Sequence, residues 1–421
     1  MSKKNKQREH LKNIAIAVLS VTAILLGFLA GIFDAPIRAQ VGGGGGRLLS
    51  MEQIGAGVHT PLSPAQIFIH FGHDEGFITA ANLEDADIVT LSEDSLPFLQ
   101  SALQHTLQAE EVLPHVWQET LGSWGLFFTF HSELSLADFA QLLGSTANMP
   151  VGKSTMFYLS WKETGVFLYF LGEQNQTFRA PTSVNVPAFS EFISMYSPNG
   201  GTISLDLDTQ IPVLSLQHYS NFPLVAAQTA HMYQHLELLL ARFGFNPSLV
   251  RYIESDGVRT MVEEDATLRI FEDGQITYQH QGQNPRLMVG ADATPSLPMA
   301  IRAAYVLASL VNIVSGDAIL SFYNYTYQNG QFVIEFEYMI NGIPIRGAYP
   351  AARVVIEQNF IREASLFARN FQNTSEVTAL LSSYGAQIAA GGQELRLLYI
   401  EETPLSNRYV LRWTLTEGQG E

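Results

Sequence analysis

The sequence predicts an α+β fold: an N-terminal transmembrane helix, an α+β N-terminal domain, and two repeated domains that each combine a helix with an antiparallel sheet. Three observations support this class. A charge-free apolar run stands near the N-terminus, Asp-Gly and Asn-Gly pairs separate strand-like segments, and a helical pattern followed by such strands occurs twice. Asn and Gly tolerate the positive φ angles of tight hairpin turns, so these pairs indicate antiparallel strands.

The N-terminal segment predicts a membrane anchor. Residues 1–12 form a cytoplasmic head with five Lys or Arg residues against one acid, and residues 13–33 form the transmembrane helix. Its uncharged run, 14–33, reaches the roughly 20 apolar residues that a bilayer requires. The run is longer than the core of a cleaved signal peptide, about 7–15 residues. Basic residues before a span stay inside. We therefore expect a single-pass protein of the cell membrane, with a cytoplasmic N-terminus and an extracytoplasmic bulk.

Composition excludes several classes of partner and site. The chain has 23 basic and 40 acidic residues, a net charge of −17, and no cysteine. An acidic outer region repels nucleic acid and anionic lipid head groups, so neither is expected as a partner. Without cysteine the chain forms no disulfides and no thiolate metal sites. Exported proteins without cysteine are typical of Gram-positive-type bacteria.

Residues 34–50 predict a Gly-rich linker, because five consecutive glycines cannot pack a core and behave as a tether. Roughly 370 residues remain after it, which by usual domain sizes form two or three domains.

Residues 51–218 predict an extracytoplasmic α+β domain with antiparallel strands. The segment 124–144 reads as a strand followed by a helix with Ser135 as its N-cap. A hairpin turn is expected near Thr164. Asn185 can cap a further helix whose apolar face combines Phe189, Phe192, Ile193 and Tyr196.

Residues 221–292 predict the first helix-plus-meander domain. Asn221 would cap a long helix, Gly244 would end it, and Pro247 would prevent its continuation. One face of this helix would carry Val225, Met232, Leu236, Leu239 and Phe243. The strands that follow would turn at two Asp-Gly pairs, Asp256-Gly257 and Asp273-Gly274.

Residues 293–421 repeat this design. A helix is predicted from residue 296, strands would turn at Asn329-Gly330 and Asn341-Gly342, and a final helix would lie near Ser375 to Tyr384 before two more strands. Each sheet is expected to bury one face under its own helix. Because Arg302 interrupts the apolar helix, its uncharged stretch is too short to cross a bilayer, and we expect a buried core helix.

No group of residues predicts catalysis, a metal site or a cofactor. His70, His73, Asp74 and Glu75 lie close in sequence, but their spacing matches no established ligand pattern. His231 and His235 lack the intervening Glu of a zinc-binding HExxH helix. We interpret "SEDS" around Glu93 and Asp94 as a helix start. Motifs for nucleophilic serines and for phosphate-binding loops are absent from the sequence, so an enzyme is not expected.

The membrane helix carries the single partner-binding feature that has a mechanism. Ala23, Gly27 and Gly31 recur every fourth residue on one face of the predicted helix. Small residues allow two helix backbones to approach closely in lipid. We predict that this face packs against the transmembrane helix of a partner.

Layout and local sequence together resemble the YycH/YycI family of membrane-anchored regulators of the cell-wall-sensing two-component system. The segments "TFHSELSLADFAQLLG" and "FLYFLGEQNQTFRAPTS" look like the N-terminal domain of YycH, and "TLRIFEDGQITYQ" looks like the helix-plus-meander domains. The chain length favours YycH over YycI. The resemblance implies a non-enzymatic regulator that contacts a sensor histidine kinase through its transmembrane helix and outer domains, alongside a YycI-like second regulator. It does not fix whether the kinase is activated or inhibited.

A second class of function fits the same modules. Helix-plus-meander units with an "NGIPI" hairpin also resemble the PepSY-like domains of peptidase propeptides and germination proteins. That resemblance implies an extracytoplasmic inhibitor or chaperone of a secreted hydrolase or germination protein. An exported enzyme is a third possibility, and it would require a deep pocket with clustered ionisable groups.

Overall fold

The computed structural model divides the chain into two compact units, Met1–Gly45 and Gly46–Glu421. The predicted anchor, 13–33, belongs to the first unit and lies outside the described residues, as do Ala23, Gly27 and Gly31, so all of these stay predictions. The structure describes residues 47–48, 61–72, 77–79, 85–104, 109–145, 152–172, 176–197, 202–205, 212–215, 222–283, 286–290, 294–340, 342–378, 395–402 and 407–415.

The first described strand, β1 (Arg47–Leu48), lies inside the segment 34–50 that the sequence predicts as a linker. It pairs in parallel with Leu287 and Met288, far along the chain. Part of the segment predicted as a linker is therefore paired with a strand of the large sheet.

A seven-stranded antiparallel sheet follows. Its strands are β2 (Gln66–Phe71), β3 (Phe77–Thr79), β4 (Glu110–Val112), β5 (Trp124–Ser135), β6 (Lys153–Lys162), β7 (Gly165–Leu171) and β8 (Thr177–Pro181). They are ordered β3-β2-β5-β6-β7-β8-β4. Four helices accompany this sheet: α1 (Asp85–Gln104), α2 (Pro114–Leu121), α3 (Leu136–Leu142) and α4 (Val186–Ser194).

Both helix caps predicted in this region are confirmed. The Oγ of Ser135 accepts the N–H of Asp138 at 3.0 Å, and the Oδ1 of Asn185 accepts the N–H of Ala188 at 2.9 Å. The prediction of a helix start at Glu93 and Asp94 is wrong, because both lie in the middle of α1. Acids also begin this helix, at Asp85 and Asp87, and those occupy its first turn, where they suit the helix dipole.

After a two-stranded ladder of β9 (Thr202–Leu205) and β10 (Pro212–Ser215), the described strands that follow all belong to one large sheet, which also includes β1. Its further strands are β11 (Phe222–Thr229), β12 (Arg251–Ser255), β13 (Val258–Glu263), β14 (Ala266–Ile270), β15 (Gln275–His280), β16 (Leu287–Met288), β17 (Ile319–Gln328), β18 (Gln331–Ile340), β19 (Ile343–Arg346), β20 (Ala352–Glu357), β21 (Phe360–Phe367), β22 (Arg369–Thr378), β23 (Leu395–Glu401) and β24 (Arg408–Leu415).

The two predicted modules have the same order of elements. Helix α5 (Leu236–Arg242) precedes the meander β12-β13-β14-β15, and helix α6 (Leu297–Ala308) precedes the meander β17-β18-β20-β21. The first hairpin of each turns at its predicted pair: Asp256 and Gly257 have φ of 51° and 73°, and Asn329 and Gly330 have φ of 54° and 78°.

The expectation of a separate sheet for each module is wrong. Strand β15 pairs antiparallel with β21, from Gln275 opposite Phe367 to Gln279 opposite Glu363. The last strands of the two meanders thereby join them into one continuous sheet of fifteen strands, counted over the residues that the structure describes. The domain boundaries at 218 and 292 stay predictions.

The long helix predicted from Asn221 is wrong over its first half. Residues 222–229 form β11, which pairs with β22 and β24, and helix begins only after a 3₁₀ turn at Met232–His235. A short apolar run fits a central strand as well as a helix, and the two neighbouring strands decide between them here. The predicted end is confirmed, since Gly244 has a φ of +72° after α5.

The apolar helix of the second module is a core helix, as predicted. Leu297–Val314 is long and apolar enough to cross a bilayer, but most of its residues are buried within the protein. The final helix predicted near Ser375 is wrong at its start, because β22 extends to Thr378 and pairs with β11. The remainder of that predicted helix lies outside the described residues.

Candidate interaction surfaces

Of the histidines singled out in the sequence, His70, His231 and His235 lie in the described part of the chain. His70 is buried, and its Nδ1 lies 2.7 Å from the carbonyl oxygen of Ser123, while His73, Asp74 and Glu75 lie outside the described residues. His231 stacks on Tyr233 with the ring centroids 6.5 Å apart. Within the described part of the chain, no three His, Asp or Glu residues are grouped to hold a metal ion.

The two large sheets are joined by what we call the inter-sheet seam, formed by residues 61–65, 131–132, 321–323 and 342. Strands β5 and β17 each carry a bulge, between Thr129 and Leu134 and between Phe322 and Asn324. A bulge interrupts the regular ladder and exposes backbone carbonyls to new partners. In the seam, the bulge of β17 supplies carbonyl oxygens and the bulge of β5 supplies the side chain of Ser132 that donates to them.

Ser132 lies at the centre of the inter-sheet seam. Its hydroxyl is buried and lies 2.9 Å from the carbonyl oxygen of Phe322 and 2.7 Å from that of Tyr323. A hydroxyl has one proton, so the two carbonyls share a single donor. Loss of this hydroxyl would deprive both carbonyl oxygens of this hydrogen-bond donor.

The opening turn of the "NGIPI" hairpin lies on the other side of the seam. Gly342 has a φ of +75°, and a Cβ placed on it would lie 2.0 Å from the carbonyl oxygen of Ala65. The Nε2 of His131 lies 3.1 Å from the carbonyl oxygen of Gly342. This turn therefore serves as a contact between the two sheets, in addition to reversing the chain.

Arg302 also connects the two parts of the protein. Its guanidinium donates to the carbonyl oxygens of Gln141 and Leu142, at the C-terminal end of α3. A cation at that end suits the helix dipole. Burial lowers the pKa of Arg302 below the usual value for arginine. The residue that argued against a second membrane span thus connects the core helix α6 to helix α3 of the N-terminal region.

Among the described residues, strand β12 forms one edge of the large sheet. Strand β12 pairs only with β13 among the described strands, and its five side chains are all exposed. Tyr252 and Ile253 are 55% and 57% exposed and point to opposite faces. Acidic side chains lie at or near the adjoining turn: Asp256 stands in it, Glu272 lies beside Gly257, and Glu254 forms an ion pair with Arg259 at 3.4 Å. An unpaired edge with apolar side chains can accept an added strand.

The sequence indicated β12 as a strand but not as an edge. Pairing order depends on contacts between segments far apart in the chain, and a single sequence does not carry that information. The adjacent Tyr252 and Ile253 did not predict an exposed strand, because both residue types are common in buried strands.

Comparison with known proteins identifies the fold. No protein-family model matches the chain, and no curated protein matches it in sequence. Its structure is similar to the crystal structure of YycH from Bacillus subtilis, with a TM-score of 0.53 over 85% of this chain and 95% of that one. The two sequences are 12% identical, so the similarity shows a common fold. The resemblance to YycH predicted from the sequence is confirmed at this level.

Proposed function

We propose that this chain with the YycH fold is a non-enzymatic, membrane-anchored extracytoplasmic regulator that binds a sensor histidine kinase of a cell-wall two-component system. The fold shared over 85% of the chain carries the proposal. A regulator of this class requires an anchor and interaction surfaces. The charge-free run after a basic head supports the first requirement, and the exposed edge of β12 supports the second.

The first proposed contact lies in the membrane. Ala23, Gly27 and Gly31 would pack against the transmembrane helix of the kinase, because their small side chains allow close approach of two helices. Gly27→Leu or Gly31→Leu should weaken this association about five- to thirtyfold while leaving insertion intact. Leu29→Ala lies on a different face of the predicted helix and is the matched control.

The second proposed contact lies outside the membrane, at β12. A strand of the kinase's outer domain would add to this edge, and basic residues in it would complement the acids at the turn. Tyr252→Ala and Ile253→Ala should weaken association about fivefold or more, since apolar anchors dominate interfaces. Leu249→Ala removes a side chain of similar exposure, 64%, just before the strand, and should change little.

The test is capture of the full-length protein from detergent-solubilised membranes at matched expression, followed by quantification of the co-encoded kinase. Capture of the kinase, reduced by the glycine or β12 variants and not by their controls, supports the proposal. Capture of a secreted hydrolase without the kinase would instead favour the PepSY-like class of inhibitor or chaperone, which the repeated order of helix and meander also suits. Equal kinase capture by all variants would contradict both proposed contacts.

A further inference from the structure

An open groove on the N-terminal sheet has no role in the contacts described above. It has a volume of about 660 Å³ and is lined by Trp124, Trp161, Lys162, Glu163, Ser190, Glu191 and Ser194. We call it the tryptophan groove. Its size lies within the range of ligand pockets, roughly 300–1,000 Å³.

Two indole rings form the floor of this groove. Trp124 and Trp161 are cross-strand neighbours on β5 and β6, one step beyond the pair of Gly125 and Ser160. Their ring centroids lie 6.0 Å apart and their planes are nearly perpendicular, at 83°. Phe71 supports Trp124 from β2 at 5.9 Å. The rings are held by the sheet and are only half-buried, so part of each aromatic surface faces the groove.

Carboxylates flank the two indoles. Glu163 stands in the turn between β6 and β7, and Glu191 stands on α4; both are exposed, and neither makes an ion pair with another described residue. The hydroxyls of Ser190 and Ser194 donate to helix carbonyls, at 3.0 and 2.7 Å, which leaves their oxygens able to accept hydrogen bonds. The rim of the groove thus offers negative charge and acceptors.

The lysine beside the groove does not neutralise this charge. Side chains alternate along a strand, so Lys162 points to the face opposite Trp161. Its ammonium donates to the Oγ1 of Thr120 at 3.3 Å and lies 5.6 Å from the centroid of the Tyr169 ring. The cation is therefore held on the other face of the sheet.

We propose that the tryptophan groove binds the cationic side chain of a lysine or arginine in a partner polypeptide. A cation over the face of tryptophan is attracted by the quadrupole of the ring, and nearby carboxylates add to this attraction. The net charge of −17 favours a basic partner for the same reason. Beyond residue 33 the chain has 18 basic residues against 39 acidic ones, so this part of the protein as a whole attracts a basic partner.

The test uses the full-length protein in detergent micelles and four probes. Two are basic tripeptides, acetyl-Gly-Lys-Gly-amide and acetyl-Gly-Arg-Gly-amide, and the third replaces the basic residue by norleucine, which keeps the alkyl chain and removes the charge. The fourth is tetramethylammonium chloride, a free cation. Binding is followed by tryptophan fluorescence, since two of the four tryptophans line the groove.

We expect the basic peptides to bind about five- to tenfold more tightly than the norleucine peptide, with the preference falling at high salt. The paired substitution Glu163→Gln with Glu191→Gln should reduce this preference to about twofold or less, and Trp161→Leu should do the same. Glu237→Gln alters an exposed acid on α5 and should leave it unchanged.

Equal binding of the norleucine and basic peptides would overturn the proposal. Binding of tetramethylammonium without binding of either basic peptide would overturn it as well. A preference for basic peptides that survives both groove substitutions would place the site elsewhere and would also overturn it. Far-ultraviolet circular dichroism of each variant separates loss of binding from loss of fold. The outcome does not depend on the kinase, because no kinase is present in the assay.

Discussion

Substitution of Gly342 by alanine should separate the role of a turn from the role of a contact between sheets. Gly342 and Gly330 occupy equivalent hairpin turns after an asparagine, with φ of +75° and +78°. An alanine at either site must adopt a left-handed conformation, which costs about 1–2 kcal/mol. The surroundings differ: a new Cβ at 342 would lie 2.0 Å from the carbonyl oxygen of Ala65, whereas none of the described atoms lies within 4 Å at 330.

The difference between the two variants in their loss of unfolding free energy therefore measures how much the contact of Gly342 in the inter-sheet seam stabilises the protein. At 342 the backbone must move by more than 1 Å to clear the carbonyl of Ala65, since real Cβ contacts essentially never fall below 3.0 Å. That movement would break the contact between His131 and Gly342 and disturb the neighbouring bonds of the seam. At about 0.5–1.5 kcal/mol for each lost hydrogen bond, Gly342→Ala should cost about 2–3 kcal/mol or more in total.

The assay is urea denaturation of the full-length protein in detergent micelles, with Gly330→Ala as the matched control. We expect the free energy of unfolding to fall by about 1–2 kcal/mol for Gly330→Ala and by at least about 1 kcal/mol more for Gly342→Ala. Equal losses in the two variants would refute the conclusion that this turn packs against the N-terminal sheet.

Three further predictions concern the seam and the topology. Ser132→Ala should lower the free energy of unfolding by about 1–3 kcal/mol, against less than about 0.5 kcal/mol for Ser194→Ala, which alters an exposed serine; a similar effect of both would contradict the buried bonds of Ser132. Limited proteolysis between residues 216 and 221 should give two fragments that co-elute in gel filtration, because the seam joins them. Separate elution would show that the seam does not hold the two fragments together after cleavage. Protease added to intact protoplasts should remove residues 34–421, and survival of this region would disprove the predicted orientation.

Local features of the fold were predictable from the sequence where one residue type has a specific geometric role. Ser135 and Asn185 cap helices as predicted, and the Asp-Gly and Asn-Gly pairs turn where expected. These features depend on side-chain oxygens and positive φ angles within a few residues. The core position of the helix containing Arg302 was also predicted, but the predicted reason was incomplete: Leu297–Val314 is long and apolar enough to cross a bilayer, and it is the burial of most of its residues within the protein that identifies it as a core helix.

Features that depend on distant segments were not predictable. Residues 222–229 suit a helix by local pattern, but pairing with β22 and β24 makes them a strand. The junction of β15 with β21 joins strands that are more than 80 residues apart. Trp124 and Trp161 likewise lie 37 residues apart and meet only because β5 and β6 are neighbours. Neither sequence segment alone therefore predicts the tryptophan groove.

The pairing of β15 with β21 bears on the evolutionary origin of the large sheet. Each is the fourth strand of its meander, and the two meet antiparallel, as a strand meets its own copy across the two-fold axis of a homodimer. Such a junction is what gene duplication and fusion of a dimeric ancestor would leave within one polypeptide. A single module cut from this protein would expose that strand as an unpaired edge, and we expect the isolated module to self-associate through it.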